Sequence, residues 1–111
     1  MLQYYPRMSK ATETALEFKR HLTGYFGERF VDFLLFGSRA RGEEEELSDL
    51  DILIVIKDLK DKEEHWIWEE AAALSLEHDI VISPIVYECQ EYLDSQELPF
   101  LSKVLKEGSR L

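Results

Sequence analysis

Cysteine is almost missing from this chain: Cys89 is the single one in 111 residues. One thiol cannot close an internal disulfide, and no Cys/His cluster offers zinc-type spacing. With no histidine near it in sequence, Cys89 reads as structural or incidental rather than as a nucleophile. Long apolar runs are missing too, since none approaches the ~18–20 residues that cross a bilayer. The opening Met1-Leu-Gln-Tyr-Tyr-Pro-Arg has neither the apolar stretch nor the small-residue cleavage site of a secretory signal. A cytoplasmic protein without membrane contact is therefore expected. There is no internal repeat, no low-complexity tract and no Pro/Gly/Ser-rich linker, so residues 1–111 are expected to form a single domain. A domain of that size buries roughly two-thirds of its unfolded surface, enough for a core without disulfides or a structural metal.

Positive charge is scarce. The 13 basic residues face 23 acidic ones, for a formal charge of −10. Non-specific nucleic-acid binding depends on Lys and Arg neutralising phosphates, so nucleic acid is an unfavourable partner overall. The net field argues for a protein or small-molecule substrate.

What is present is a clear order of elements. Residues 8–27 read as a helix, with Ser9 as N-cap, Ala11, Ala15, Leu16, Phe18, Leu22, Tyr25 and Phe26 at helical spacing, and Gly27 as its stop. Val31–Phe36 is a short apolar strand halted by Gly37, and Leu50–Ile56 is a second strand of the buried type with a β-branched bias. Residues 61–78 read as a helix through Trp66, Ile67, Ala71, Leu74 and Leu76. Trp66 and Trp68 differ by two, so one is expected in the core and the other partly exposed. Ile80–Tyr87 is a third strand, which Pro84 marks as an edge or a bulge. Short helical stretches follow near 89–95 and 98–107, with Gly108 as a stop. Strands separated by helical segments indicate an α/β or α+β domain on a small sheet.

The chemistry gathers in Phe36-Gly-Ser-Arg-Ala-Arg-Gly42 and Ser48-Asp-Leu-Asp51. A buried strand that ends at Gly37-Ser38 and runs into a helical turn points backbone N–H groups outward, where they attract phosphate oxygens. Gly37 allows close approach to a ligand, Ser38 adds a hydroxyl, and Arg39 and Arg41 add positive charge. Asp49 and Asp51 open the next strand, and residues two apart project to one face. Two carboxylates so placed repel unless a cation lies between them, and Mg²⁺ binds through a few carboxylates together with substrate phosphates. A phosphate-gripping corner beside a metal-gripping pair suits phosphoryl or nucleotidyl transfer. Each half alone has an ordinary reading, the Gly-Ser as a turn and Asp-x-Asp as strand capping.

The two halves together resemble the signature of the polymerase-β-like nucleotidyltransferase superfamily, and the string from Phe36 to Ile54 is most similar to its minimal branch. The resemblance spans essentially the whole chain and is strongest over residues 31–56. It implies a nucleotidyltransferase-type mixed sheet of about three to four strands flanked by helices. It implies that Gly37 and Ser38 hold the phosphates of ATP, that Arg39 or Arg41 assists with the triphosphate, and that Asp49 and Asp51 coordinate catalytic Mg²⁺, two ions in such enzymes. A third carboxylate on the following strand completes the family's metal site. Asp79 is the acidic residue at that strand, on the same side as Val81 and Ser83 by alternation; its ordinary reading is a helix-to-strand turn residue. Glu88 or a partner's side chain could substitute.

Minimal members of the branch commonly pair as antitoxins with a helical HEPN protein, an RNase toxin, and silence it by attaching AMP to a tyrosine. Resemblance thus implies AMP transfer from ATP to a HEPN partner. The alternatives are a non-catalytic nucleotide-binding module that neutralises a partner by complex formation, and a small-molecule nucleotidyltransferase acting as a homodimer. His21, His65 and His78 lie on or at the ends of the helices with no matching ligands in view, Tyr4, Tyr5 and Tyr92 read as packing residues, and the run Glu43–Glu46 reads as a solvating loop.

Overall fold

The computed structural model describes residues 9–37 and 49–111. The helical turn expected after Gly37, the glutamate run, Tyr4, Tyr5, Ser38, Arg39 and Arg41 lie outside the described residues. Helix α1 runs Lys10–Phe26, and a 3₁₀ turn, Gly27–Arg29, leads into β1, Phe30–Phe36. Strand β2 is Leu50–Ile56, α2 is Asp61–His78 and β3 is Ile82–Glu88. Two short helices, α3 (Cys89–Asp94) and α4 (Pro99–Glu107), precede a two-residue strand β4, Ser109–Arg110.

Local chemistry sets the ends of α1. The Ser9 hydroxyl accepts the Thr12 N–H at 3.1 Å, satisfying one of the orphan donors of the first turn. Gly27 closes the helix with φ 56, a backbone conformation that glycine adopts without strain. Between them Ala11, Ala15, Phe18, Leu22 and Phe26 form one buried stripe.

The sheet order is β3-β2-β1-β4. β1 is antiparallel to β2 and to β4, whereas β2 and β3 are parallel, joined by the α2 crossover. This is a mixed sheet of four strands, as the motif resemblance implies. Strand alternation divides its side chains between two cores. Phe33, Leu35, Ile52, Ile54 and Ile56 pack against α1 and α2, while Leu34, Leu53 and Val55 pack against Tyr92, Leu101 and Val104 of α3 and α4. Coverage of both faces explains why β2 reads as one unbroken apolar run. Asp51 alternates with Leu53 and Val55, so it belongs to the α3/α4 face.

Three expectations change. Leu76 is 87% exposed; the inward stripe of α2 runs through Glu63, Ile67, Ala71 and Leu74, and Leu76 stands roughly 200° of helical turn beyond Leu74. The third strand starts at Ile82 rather than Ile80, because Asp79 takes the left-handed conformation as C-cap of α2 and the Ile80 N–H still bonds back to the Ser75 carbonyl. The Ser75 hydroxyl then accepts the Ile82 N–H at 2.9 Å and fixes where the ladder opens. The tail adds β4, which antiparallel pairing of Leu34 with Arg110 creates. Pro84 does lie on an edge strand. Trp66 stacks on Tyr25 at 4.1 Å against the core, while Trp68 is half exposed.

One buried charge is part of this frame. Glu63 takes two short hydrogen bonds from the Arg29 guanidinium, 3.0 and 2.6 Å, and also accepts the Lys60 N–H. The guanidinium, with the Lys60 N–H, holds the Glu63 carboxyl down to about 2 from its ordinary 4.5. A carboxyl depressed on folding contributes stability above its unfolded pKa and loses it as pH falls through the folded value. The difference in Tm between the wild type and Glu63→Gln is therefore expected to be widest at neutral pH and to close between pH 4.5 and about 2. Thermal melts at stepped pH check this; a gap that stays constant across the window would show that the pair contributes nothing to acid sensitivity.

Candidate active site

β1 leaves the sheet at Phe36, whose ladder partner is Asp51. The next residue, Gly37, has φ 79. A Cβ built there would lie 2.4 Å from Asp51 Oδ2, so any other residue here requires that carboxylate to shift. The glycine of the loop and the second aspartate, well separated along the chain, are thus in direct apposition. On the other side of β2, Asp51 pairs with Ser83 of β3, and the Ser83 hydroxyl donates to Asp49 Oδ2 at 3.2 Å. Gly37, Asp49, Asp51 and Ser83 consequently share one end of the sheet.

The electrostatics of the pair are unfavourable as they stand. Asp49 is exposed and Asp51 half-buried. Burial pushes the Asp51 carboxyl above its ordinary range, and the neighbouring Asp49 charge pushes it further in the same direction. A hard dication with oxygen ligands would relieve both effects, and Mg²⁺ held by one or two carboxylates plus phosphate oxygens fits this donor set. Beside Gly37, a cavity of about 240 Å³ opens between β1 and α4, lined by Phe36, Phe100, Lys103, Val104 and Glu107. The Phe36 and Phe100 rings meet edge to face at 5.7 Å and give it an apolar wall of the kind that accepts a planar ring.

Asp79 lies just ahead of β3, off the strand that carries Ser83. It caps α2 three residues before the ladder opens, and its carbonyl accepts from Lys10 Nζ at 3.4 Å. Among the described residues, the group of three His or carboxylate ligand atoms within 4.8 Å of one another is Glu17, Glu77 and His78, not Asp49, Asp51 and Asp79. Glu88, the alternative carboxylate, pairs with Ile56 at the far end of β3, roughly 16 Å from Ser83 at 3.3 Å per residue. Its oxygens accept the Asp58 and Gln90 N–H groups, which hold its carboxyl below the ordinary range. Ser83 is the contact that sequence reasoning passed over; its signal was the alternation that sets it across from the second aspartate once β2 and β3 are parallel.

Known proteins resemble this chain over most of its length. Residues 13–110 match the nucleotidyltransferase domain family. MJ0141 of Methanocaldococcus jannaschii, named as a candidate protein adenylyltransferase, is 40% identical over 77 residues, 68% of this chain and 78% of its own. MJ0604 of the same organism, named likewise, is 34% identical over 92 residues, 83% of this chain and 88% of its own. Among solved structures, a toxin–antitoxin with AMP-PNP superposes with a TM-score of 0.60 at 22% identity, over 85% of this chain and 69% of the other. The toxin–antitoxin MntA–HpeT, in a form with two Asp-to-Glu substitutions, gives 0.54 at 17% identity, over 93% and 72%. The chain belongs to the nucleotidyltransferase domain family, and it is a nucleotidyltransferase.

Proposed function

We propose that this protein transfers AMP from Mg²⁺-ATP to a tyrosine hydroxyl of a HEPN-type partner, and so acts as the antitoxin of a toxin–antitoxin pair. The observation that carries the site reading is the apposition of Gly37 with Asp51, which sets a side-chain-free phosphate corner against the carboxylate pair. The partner reading is supported by two relatives named for protein adenylylation and by structural neighbours that are toxin–antitoxin proteins, one of them with AMP-PNP.

In this reading the acceptor oxygen attacks the α-phosphorus and the bond from that phosphorus to the bridging oxygen breaks. Pyrophosphate leaves, and the acceptor proton passes to a base. Asp49 and Asp51 would hold a divalent metal, which when bound would polarise the phosphoryl oxygens. Gly37 keeps a Cβ clear of the Asp51 carboxylate, and the Ser83 hydroxyl donates to Asp49. Ser38, Arg39 and Arg41 take the triphosphate by the chemistry of their side chains. Asp79 is proposed as the third carboxylate.

Incubation of the protein with α-labelled ATP, Mg²⁺ and a purified HEPN-type protein tests the reading. Label on the partner, pyrophosphate in solution and loss of both with chelator are expected. Binding of Mg²⁺-ATP without any transfer would leave nucleotide-dependent complex formation as the activity. In the same assay, Asp79→Asn is expected to lower transfer; full activity in that variant would take the third-carboxylate role away from it.

A further inference from the structure

Two histidines and three glutamates lie across the α1/α2 seam, away from the aspartate pair. His78 Nε2 is 2.5 Å from Glu17 Oε2. The other Glu17 oxygen is 3.9 Å from His21 Nε2, and His21 Nδ1 is 2.8 Å from Glu70 Oε2. Glu77 joins at one end, so that ligand atoms of Glu17, Glu77 and His78 all lie within 4.8 Å of one another. The helices contribute from opposite ends of the chain order: Glu17 is seven residues into α1, whereas Glu77 and His78 are the last residues of α2. Glu17 and His78 are about three-quarters buried. Their helices cover one face of the sheet, and Asp51 looks out on the other.

We infer that Glu17, Glu77 and His78 form a binding site for a first-row transition dication, Zn²⁺ by ligand type, that clips α1 to α2. One imidazole and two carboxylates are a zinc-type donor set, and water would complete the tetrahedron. The imidazole distinguishes this site from a Mg²⁺ site, whose ligands are oxygens. Tetrahedral ligands at zinc distances stand about 3.3 Å apart, so the present spacing needs adjustment of around an ångström. Two carboxylates drawn together in a chain of net charge −10 also place a local negative potential there that a dication would relieve. His21 is hydrogen-bonded to Glu70 and stands 3.9 Å from Glu17, behind the cluster rather than in it. The clip would anchor the end of α2, immediately before the cap at Asp79 and the start of β3 that delivers Ser83 to the active site.

Calorimetric titration of chelator-treated protein with Zn²⁺, with excess Mg²⁺ present throughout, tests the site. One Zn²⁺ per chain is expected, together with a rise in Tm. His78→Gln and Glu77→Gln are expected to weaken binding by more than the roughly 10–100-fold that loss of an outer partner costs; Glu77 is exposed, so its variant reports even where His78→Gln disturbs the helix end. His65→Gln at the exposed His65–Glu69 pair is expected to bind as the wild type does, and Asp49→Asn/Asp51→Asn is expected to keep one Zn²⁺ per chain. The inference is overturned if no Zn²⁺ binds, if both His78→Gln and Glu77→Gln bind it unchanged, or if binding disappears with the aspartate pair.

Discussion

Asp51→Asn is expected to lower nucleotidyl transfer by about 10³-fold, from roughly 4 kcal/mol of lost transition-state stabilisation at the metal, and to do so without weakening the fold. The two halves of that expectation come from the same carboxyl. Burial, and then the Asp49 charge, raise its pKa above the ordinary range. A group whose pKa rises on folding stabilises the native state only while protonated, and its ionisation as pH rises subtracts stability. At neutral pH the wild-type protein without metal therefore carries an unfavourable charge that asparagine does not have. In chelator, the Tm of Asp51→Asn should equal or exceed that of the wild type; with Mg²⁺ and ATP, the wild type should gain Tm and the variant should not. Melts in the two conditions, beside the transfer assay, read both parts. Near-wild-type turnover in Asp51→Asn would sink the metal role proposed for it. A large loss of Tm in chelator would instead show Asp51 to be a structural residue.

The parts of this molecule that could be read in advance are those whose cause is local in the chain. Ser9 and Gly27 bracket α1 because caps depend on a few neighbouring residues. β2 announces itself because burial on both faces leaves no polar position between Ile52 and Ile56. The Gly37 and Asp49/Asp51 pieces were legible for the same reason, each as a short string at the end of a strand. What stayed hidden depends on register and packing. The start of β3 hinges on whether Asp79 takes a left-handed cap, a choice stabilised by Ser75 bonds to Ile80 and Ile82. Ser83 acquires meaning only when parallel pairing sets it opposite Asp51, and Glu63 only when Arg29 meets it from 34 positions away. The histidines that showed no matching ligands in sequence find carboxylates from the neighbouring helix, 61 positions away for His78 and 49 for His21. β4 is two residues long and has no pattern of its own; it exists because the edge of β1 is open to pairing.

Gly37→Ala separates the role of the loop glycine from that of the carboxylate it touches. Its φ of 79 is disfavoured for an L side chain, at a cost of about 1–2 kcal/mol. That cost predicts a Tm loss of about 4–8 °C per kcal/mol in a small domain. The activity loss should be larger in proportion, because the new methyl meets Asp51 Oδ2 at 2.4 Å and Asp51 Cγ at 3.3 Å. The easiest relief is rotation of the Asp51 carboxylate away from Gly37. It costs the fold little, but it moves a proposed metal ligand by an ångström or more, and misplacement on that scale is worth about 10²-fold in rate. If this is the route, the effects of Gly37→Ala and Asp51→Asn on transfer are not independent: once the carboxylate is an amide without a metal to hold, pushing it aside removes nothing further. The double variant is then expected to be no less active than Asp51→Asn alone, while its Tm still carries the backbone strain. Fully additive losses in transfer would mean that Gly37 acts on the nucleotide directly, through its open backbone, rather than through the placement of Asp51.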